Sequence, residues 1–186
     1  HTYEDFLATW NFTEKAGFEN RNIDLMSALP GQTMESWEDT LEKVIALEPE
    51  HISAYSLIIE DGTPIEKEYS KGLLDIPNED TDREMYMHTV DFLGKNGFKQ
   101  YEISNFAKDG YECRHNLRYW SMGEYMGLGP SAHSFLNGTR YSNIPDVDAY
   151  ILSEGRLAVC DYTVNTQSDN ISEYIFTGLR KPAGID

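Results

Sequence analysis

The sequence predicts an α/β protein, and three observations carry that reading. Apolar residues recur at helical spacing in segments of a dozen or more residues, and short runs of alternating character stand between those segments. The pattern helix, glycine, phenylalanine, strand also occurs twice, at Gly17-Phe18 and at Gly97-Phe98. Strands separated by whole helices cannot be hairpins, so a parallel arrangement is expected, in an open sheet or a barrel.

Residues 3–16 carry Phe6, Leu7, Trp10 and Thr13 at helical spacing behind a Thr2 N-cap with Asp5 three positions on, and they close on Gly17. Residues 22–28 then alternate, with Ile23, Leu25 and Ser27 on one face and Asp24, Met26 and Ala28 on the other. The turn Leu29-Pro30-Gly31-Gln32 leads into a helix capped by Thr33, whose stripe is Met34, Trp37, Leu41, Val44 and Ile45, and Pro49 stops it. Residues 52–59 form the next strand. After a loop with a short helical piece at 65–71, a capping box at Thr81-Asp82-Arg83-Glu84 opens a helix that runs to Asn96. Residues 98–105 are expected as a third parallel strand.

From Ala107 the rhythm changes to glycines and aromatics. Strands are expected near 132–136 and 140–142, joined by the turn Asn137-Gly138, with helices at 145–152 and 169–179. The expected division is 1–106 as the α/β part, 107–168 as an aromatic and glycine-rich extension, and 169–186 as the start of a small helical domain. The chain opens at His1 directly on a helix start and ends without a tail-like composition, so it reads as a fragment with neighbours missing on both sides.

Fifteen Lys and Arg against thirty-two Asp and Glu give a net charge of -17, which opposes a polyanionic partner, so nucleic acid is excluded as the expected ligand. No apolar run approaches the ~20 residues of a membrane helix and no basic, apolar leader is visible, so a cytoplasmic location is expected. The two cysteines, Cys113 and Cys160, are too few for an iron-sulfur cluster, which takes about three or four thiolates. No H-E-x-x-H or G-x-S-x-G motif is present, and the five histidines are scattered singly, with His51 and His88 read as helix-end and helix-face residues.

A carboxylate in the middle of a parallel strand must be satisfied by a ligand, a cation or hydrogen bonds, which singles out Asp24; bonding to neighbouring backbone is the competing account. In the third strand Gln100, Glu102 and Ser104 share one face, either lining the same lumen as Asp24 or facing solvent at a sheet edge. The run Cys113-Arg114-His115-Asn116-Leu117-Arg118-Tyr119-Trp120 combines cations, an imidazole and large aromatics, a mix that suits a flat, acidic, aromatic ligand. A loop stabilised by its own histidine and arginine competes with it. In Gly127-Leu128-Gly129-Pro130-Ser131-Ala132-His133-Ser134 the proline removes an N–H that a phosphate cradle would use, so the glycines are expected to allow a close backbone approach, to a neighbour or to a bound adenosine group.

Taken in order, NIDLMSALPGQT, HISAYSLIIEDGTP, YEISNFA, CRHNLRYW and GLGPSAHS resemble the C-terminal half of the radical S-adenosylmethionine (SAM) family that contains the oxygen-independent coproporphyrinogen III oxidases and the heme chaperones. The likeness covers residues 1 to about 180. It implies part of a (βα)6 TIM-like barrel in which a [4Fe-4S] cluster, held by a C-x-x-x-C-x-x-C run outside this fragment, cleaves SAM reductively. It implies that Asp24 hydrogen-bonds the SAM ribose, that Ile58 contacts the adenine side, and that His133 closes over SAM after the glycine bend. For the tetrapyrrole, heme or coproporphyrinogen III, it offers Arg114, His115 and Tyr119, with Glu102 beside them, as contacts. The HNLRYW stretch leans toward the heme chaperones. A true oxidase that converts coproporphyrinogen III to protoporphyrinogen IX is the alternative, and an inactive scaffold fragment is the third reading. Oligomeric state is left open.

Overall fold

A computed structural model describes residues 2–154 and 159–185, which fall into two units, 1–112 and 113–186. In the first unit α1 (Tyr3–Lys15) precedes β1 (Asn22–Ser27), and α2 (Met34–Ile45) crosses over to β2 (His51–Ser56). α3 (Pro64–Tyr69) and α4 (Glu79–Lys95) follow, then β3 (Lys99–Glu102) and β4 (Asn105–Ala107). β1 and β2 are parallel, with Asn22 opposite His51 and each following residue in step through Ser27 and Ser56. A helical crossover between neighbouring strands requires this direction.

The expected third parallel strand is corrected by the structure. The sheet order is β1-β2-β4-β3, and β4 lies antiparallel to β2, with Ile52 opposite Phe106 and Ser53 opposite Asn105. The chain reverses at Ile103-Ser104, so residues 98–105 are a hairpin arm and a turn rather than one strand. Burial explains the reversal. A continuous strand would hold Phe98 and Phe106 about 26 Å apart at ~3.3 Å per residue, whereas the hairpin places both in one buried cluster with Ile52 and Leu93.

That cluster is formed where α2 and α4 contribute Trp37, Leu41, Met85 and Leu93 to the sheet face bearing Ile23, Ile52 and Phe106. The Trp37 indole N–H donates to Thr89 Oγ1 at 2.9 Å, and the same hydroxyl donates to the Met85 carbonyl at 2.7 Å, so the indole N–H and the Thr89 hydroxyl are both satisfied in the α2–α4 contact. α4 begins three residues earlier than the Thr81 capping box predicts. Asn78 Oδ1 accepts from the Thr81 N–H, and Glu79, Asp80 and Asp82 then fall in the first turn, where the helix dipole favours acidic side chains.

The second unit contains α5 (Arg114–Trp120), β5 (His133–Leu136), β6 (Thr139–Asn143), α6 (Val147–Leu152), β7 (Val159–Val164) and α7 (Gln167–Gly178). β5 and β6 form the expected hairpin, and Asn137 and Gly138 both have positive φ, 49° and 70°, as a two-residue type I′ turn demands. β7 completes an antiparallel sheet ordered β5-β6-β7 and is a strand that the sequence reading does not place. Arg140 of β6 binds Glu173 of α7 through two hydrogen bonds of 2.7 Å. The indicated helices at 145–152 and 169–179 correspond to α6 and α7 within two residues at each end.

Gly127 shows why the glycine bend needs its glycine. A methyl group there would press into the His133 carbonyl oxygen and stand 2.9 Å from Ala132. Gly127→Ala is therefore expected to destabilise the second unit by about 1–3 kcal/mol, the range of overpacking, read as a lower urea midpoint; an unchanged midpoint would contradict the packing described.

Among the described residues no helix is long and apolar enough to cross a membrane.

Candidate functional site

β1, β2 and β4 are in register, so their side chains sort onto two common faces. One carries Ile23, Ile52 and Phe106 into the helix-covered core. The other carries Asn22, Asp24 and Met26 from β1, His51, Ser53 and Tyr55 from β2, and Asn105 from β4. Met26 and Tyr55 on this second face are exposed, as is Asp24. The expectation of a buried carboxylate at position 24 is thereby corrected: helices of this unit cover the opposite face, so Asp24 meets solvent and carries no burial penalty here. Ala28, expected beside Asp24, lies past the strand end, buried and with φ 57°.

The polar face is joined by a chain of hydrogen bonds. Asn22 Nδ2 donates to Asp24 Oδ1 at 2.6 Å. Asn22 Oδ1 meets His51 Nδ1 at 2.6 Å and accepts from Ser53 Oγ at 3.3 Å, and His51 Nε2 meets the Tyr101 hydroxyl at 2.7 Å. Tyr101 was expected on the far side of β3 from Glu102. The register shift between Gln100 and Glu102 adds a residue to this strand, which lets both Tyr101 and Glu102 reach the polar face. Gln100, expected there too, instead bonds Tyr86 of α4 and the Ile103 carbonyl, and Ser104 sits in the turn.

His51 is 5% exposed and not a helix-end residue, contrary to the sequence reading. The alternation of His51, Ser53 and Tyr55 is a strand signal, and the register sets these residues in phase with Asn22, Asp24 and Met26. Burial pushes its pKa down, opposed by the charges of Asp24, Glu102 and Glu112. The unfolded imidazole therefore takes up its proton at a higher pH than the folded one, and stability rises with pH between the two values. The first unit is expected to hold its full His51 contribution above about pH 6.5 and to weaken as pH falls through the folded value. Urea midpoints at pH 7.5 and 5.5 check this; His51→Phe should shrink the difference, and an equal difference in the variant would contradict the assignment.

Glu102 is only 1% exposed. Its Oε1 accepts from the Asn105 side-chain amide and from the Ser104 N–H at 3.1 Å, while Asn105 Oδ1 is buried without a hydrogen-bond partner. A buried acceptor of this kind is suited to a donor from outside the unit. Ile58, just beyond β2, is 78% exposed. Asp24, Glu102 and Ile58 thus belong to the first unit.

Arg114, His115, Tyr119 and His133 belong to the second. Arg114 and His115 are exposed on α5, and His133 is exposed at the start of β5. Spacing of i and i+4 brings the His115 and Tyr119 rings edge to face at 4.7 Å, and Tyr119 meets Tyr125 in the same way at 4.5 Å. Tyr119, Trp120, Tyr125, Phe135 and Arg140 line an aromatic cleft of about 240 Å³. Among the described residues no group of three or more His, Cys, Asp or Glu is placed to hold a metal ion, and Cys113 and Cys160 are free thiols.

No family model matches the chain. The heme chaperone HemW of Lactococcus lactis is 42% identical over 92% of it, and the heme chaperone HemW of Bacillus subtilis is 40% identical over all of it. Over most of its length the chain is similar to these heme chaperones. It spans about half of these relatives, 45% and 49% of their lengths. The mitochondrial radical S-adenosyl methionine domain-containing protein 1 of Mus musculus is 41% identical over 112 residues, 60% of this chain and 25% of the mouse protein. Among solved structures, the coproporphyrinogen III oxidase HemN of Escherichia coli, a radical SAM enzyme, matches 97% of this chain and 45% of its own chain, with a TM-score of 0.75 and 23% identity. The shared fold is α/β.

Proposed function

We propose that this chain is the C-terminal part of a HemW-type heme chaperone of the cytoplasm, and that the polar face around Asp24 is its contribution to a SAM site. The observation that carries the reading is a mid-strand carboxylate, open to solvent, with one oxygen anchored by Asn22 and the other engaged by no hydrogen bond among the described residues. Such a carboxylate fits a ribose hydroxyl, which donates where Asp24 accepts. In this reading β1 and β2 are closing strands of a partial (βα)6 barrel within residues 1–106, Ile58 lies at the adenine side, and 107–168 form an extension. Residues 169–186 begin the C-terminal domain.

The iron-sulfur cluster, which supplies an electron to SAM when bound, would be held by cysteines elsewhere in the longer protein. Heme would meet Arg114, His115 and Tyr119 on α5, where two exposed side chains able to bind propionate or iron stand beside an aromatic ring. The test is to reconstitute the full-length protein anaerobically with its cluster and offer heme and coproporphyrinogen III in parallel. Stable heme binding without conversion of coproporphyrinogen is expected; formation of protoporphyrinogen IX would make it an oxidase and overturn the chaperone reading.

A further inference from the structure

We propose that Asn22 and His51 are positioning residues that fix the rotamer of Asp24 and aim its free oxygen at a sugar hydroxyl of the bound nucleoside. The proposal rests on the reading of Asp24 as the ribose ligand and adds what holds it.

An exposed aspartate on a strand ordinarily samples several rotamers, and a ligand that needs one of them loses affinity by the fraction of time spent in the others. Here Asn22, two residues earlier on the same face, donates to Asp24 Oδ1 at 2.6 Å. An asparagine amide can turn over, and that would set its oxygen against the carboxylate. Two contacts oppose this, because Ser53 Oγ and His51 Nδ1 both converge on Asn22 Oδ1.

The direction of every proton in the chain then follows from donor and acceptor capacity. A carboxylate only accepts, so Nδ2 of Asn22 faces Asp24 and Oδ1 faces His51. His51 Nδ1 must therefore carry a hydrogen. In the neutral imidazole Nε2 is then the acceptor, and it receives the Tyr101 hydroxyl at 2.7 Å. Only the Nδ1–H tautomer satisfies all the groups at once. His51 is buried and its ring meets Tyr101 edge-on at 5.5 Å, so the imidazole cannot swing away without opening the face. The charged and titratable groups that face it are Asp24 from β1, Tyr101 and Glu102 from β3, and Glu112 after β4. The result is a carboxylate with Oδ1 anchored through three strands of one sheet and Oδ2 left to accept from a ligand hydroxyl.

The experiment uses the full-length protein, reconstituted with its cluster, and measures the Kd for SAM by equilibrium dialysis. Asn22→Leu and His51→Phe are each expected to weaken binding about tenfold, the effect of one hydrogen bond to a charged group. Neither should weaken it further in an Asp24→Ala background, since both act through Asp24. Asn22 is exposed, so its variant reports even if His51→Phe fails to fold. The second readout does not depend on SAM: ¹⁵N resonances of the full-length protein should show one histidine, lost in His51→Phe, as the Nδ1–H tautomer.

Wild-type affinity in both single variants while Asp24→Ala binds weakly would overturn the positioning roles and leave the ribose reading standing. Losses that add to that of Asp24→Ala, or an Nε2–H tautomer, would also overturn them. Unchanged affinity in Asp24→Ala itself would remove the ribose reading, and the positioning roles with it.

Discussion

Trp37→Ala is expected to destabilise the first unit by about 3–5 kcal/mol, the usual cost of emptying a core site of its indole. Trp37 is 1% exposed and stands where α2, α4 and the sheet meet, with Leu41, Met85 and Leu93 fully buried in the same cluster. The substitution also removes the hydrogen bond from the indole to Thr89 that joins α2 to α4. Thr89 keeps its bond to the Met85 carbonyl, so the hydroxyl is not left unsatisfied and the loss is mainly one of packing. Trp37→Phe refills most of the volume without the N–H and should cost about 1–2 kcal/mol. Against a typical domain stability of about 5–15 kcal/mol, the alanine variant should be partly unfolded at low urea, seen by near-ultraviolet circular dichroism. A loss below about 1 kcal/mol would mean that α2 and α4 do not pack as described.

Asp24→Ala should show the opposite profile, a large effect on binding and little on folding. The carboxylate is exposed and, among the described residues, its one hydrogen bond is to another exposed side chain, so the stability change should stay within about 0.5 kcal/mol. A hydroxyl bound by a carboxylate contributes about 1.5–3 kcal/mol, so the Kd of the full-length protein for SAM should rise roughly 10- to 150-fold. Asp24→Asn should fall between, since it keeps an acceptor oxygen and loses the charge. A variant that unfolds would place Asp24 in the scaffold; one that binds normally would place SAM elsewhere.

Much of the fold was legible because local signals and burial agree. The alternation of 22–28, the apolar stripe from Met34 to Ile45, the Thr33 cap and the Asn137-Gly138 turn each specify their element without help from distant residues. The reversal at Ile103-Ser104 was not legible. Ile103 is a strand former and Ser104 alone is a weak turn signal, and the hairpin is selected by the need to bury Phe98 and Phe106 together, a non-local condition. The position of Tyr101 was hidden for a related reason, because strict alternation has no place for the extra residue of a bulge.

At the site, the sequence pointed to Asp24 but misjudged its surroundings. A parallel sheet covered on both faces would bury the carboxylate, whereas this unit sets its helices on one face and leaves the other polar and open. His51 was passed over because a single histidine near Pro49 looks like a helix terminus; only the register with Asn22 shows it at the centre of a hydrogen-bonded face.

A crystal structure of the full-length protein with SAM tests the polar face most directly. A ribose hydroxyl is expected within about 2.5–3.0 Å of Asp24 Oδ2, the range of an O–H···O bond, with Asn22 still on Oδ1. A ribose bound away from this face, with Asp24 turned to bulk water, would contradict the assignment.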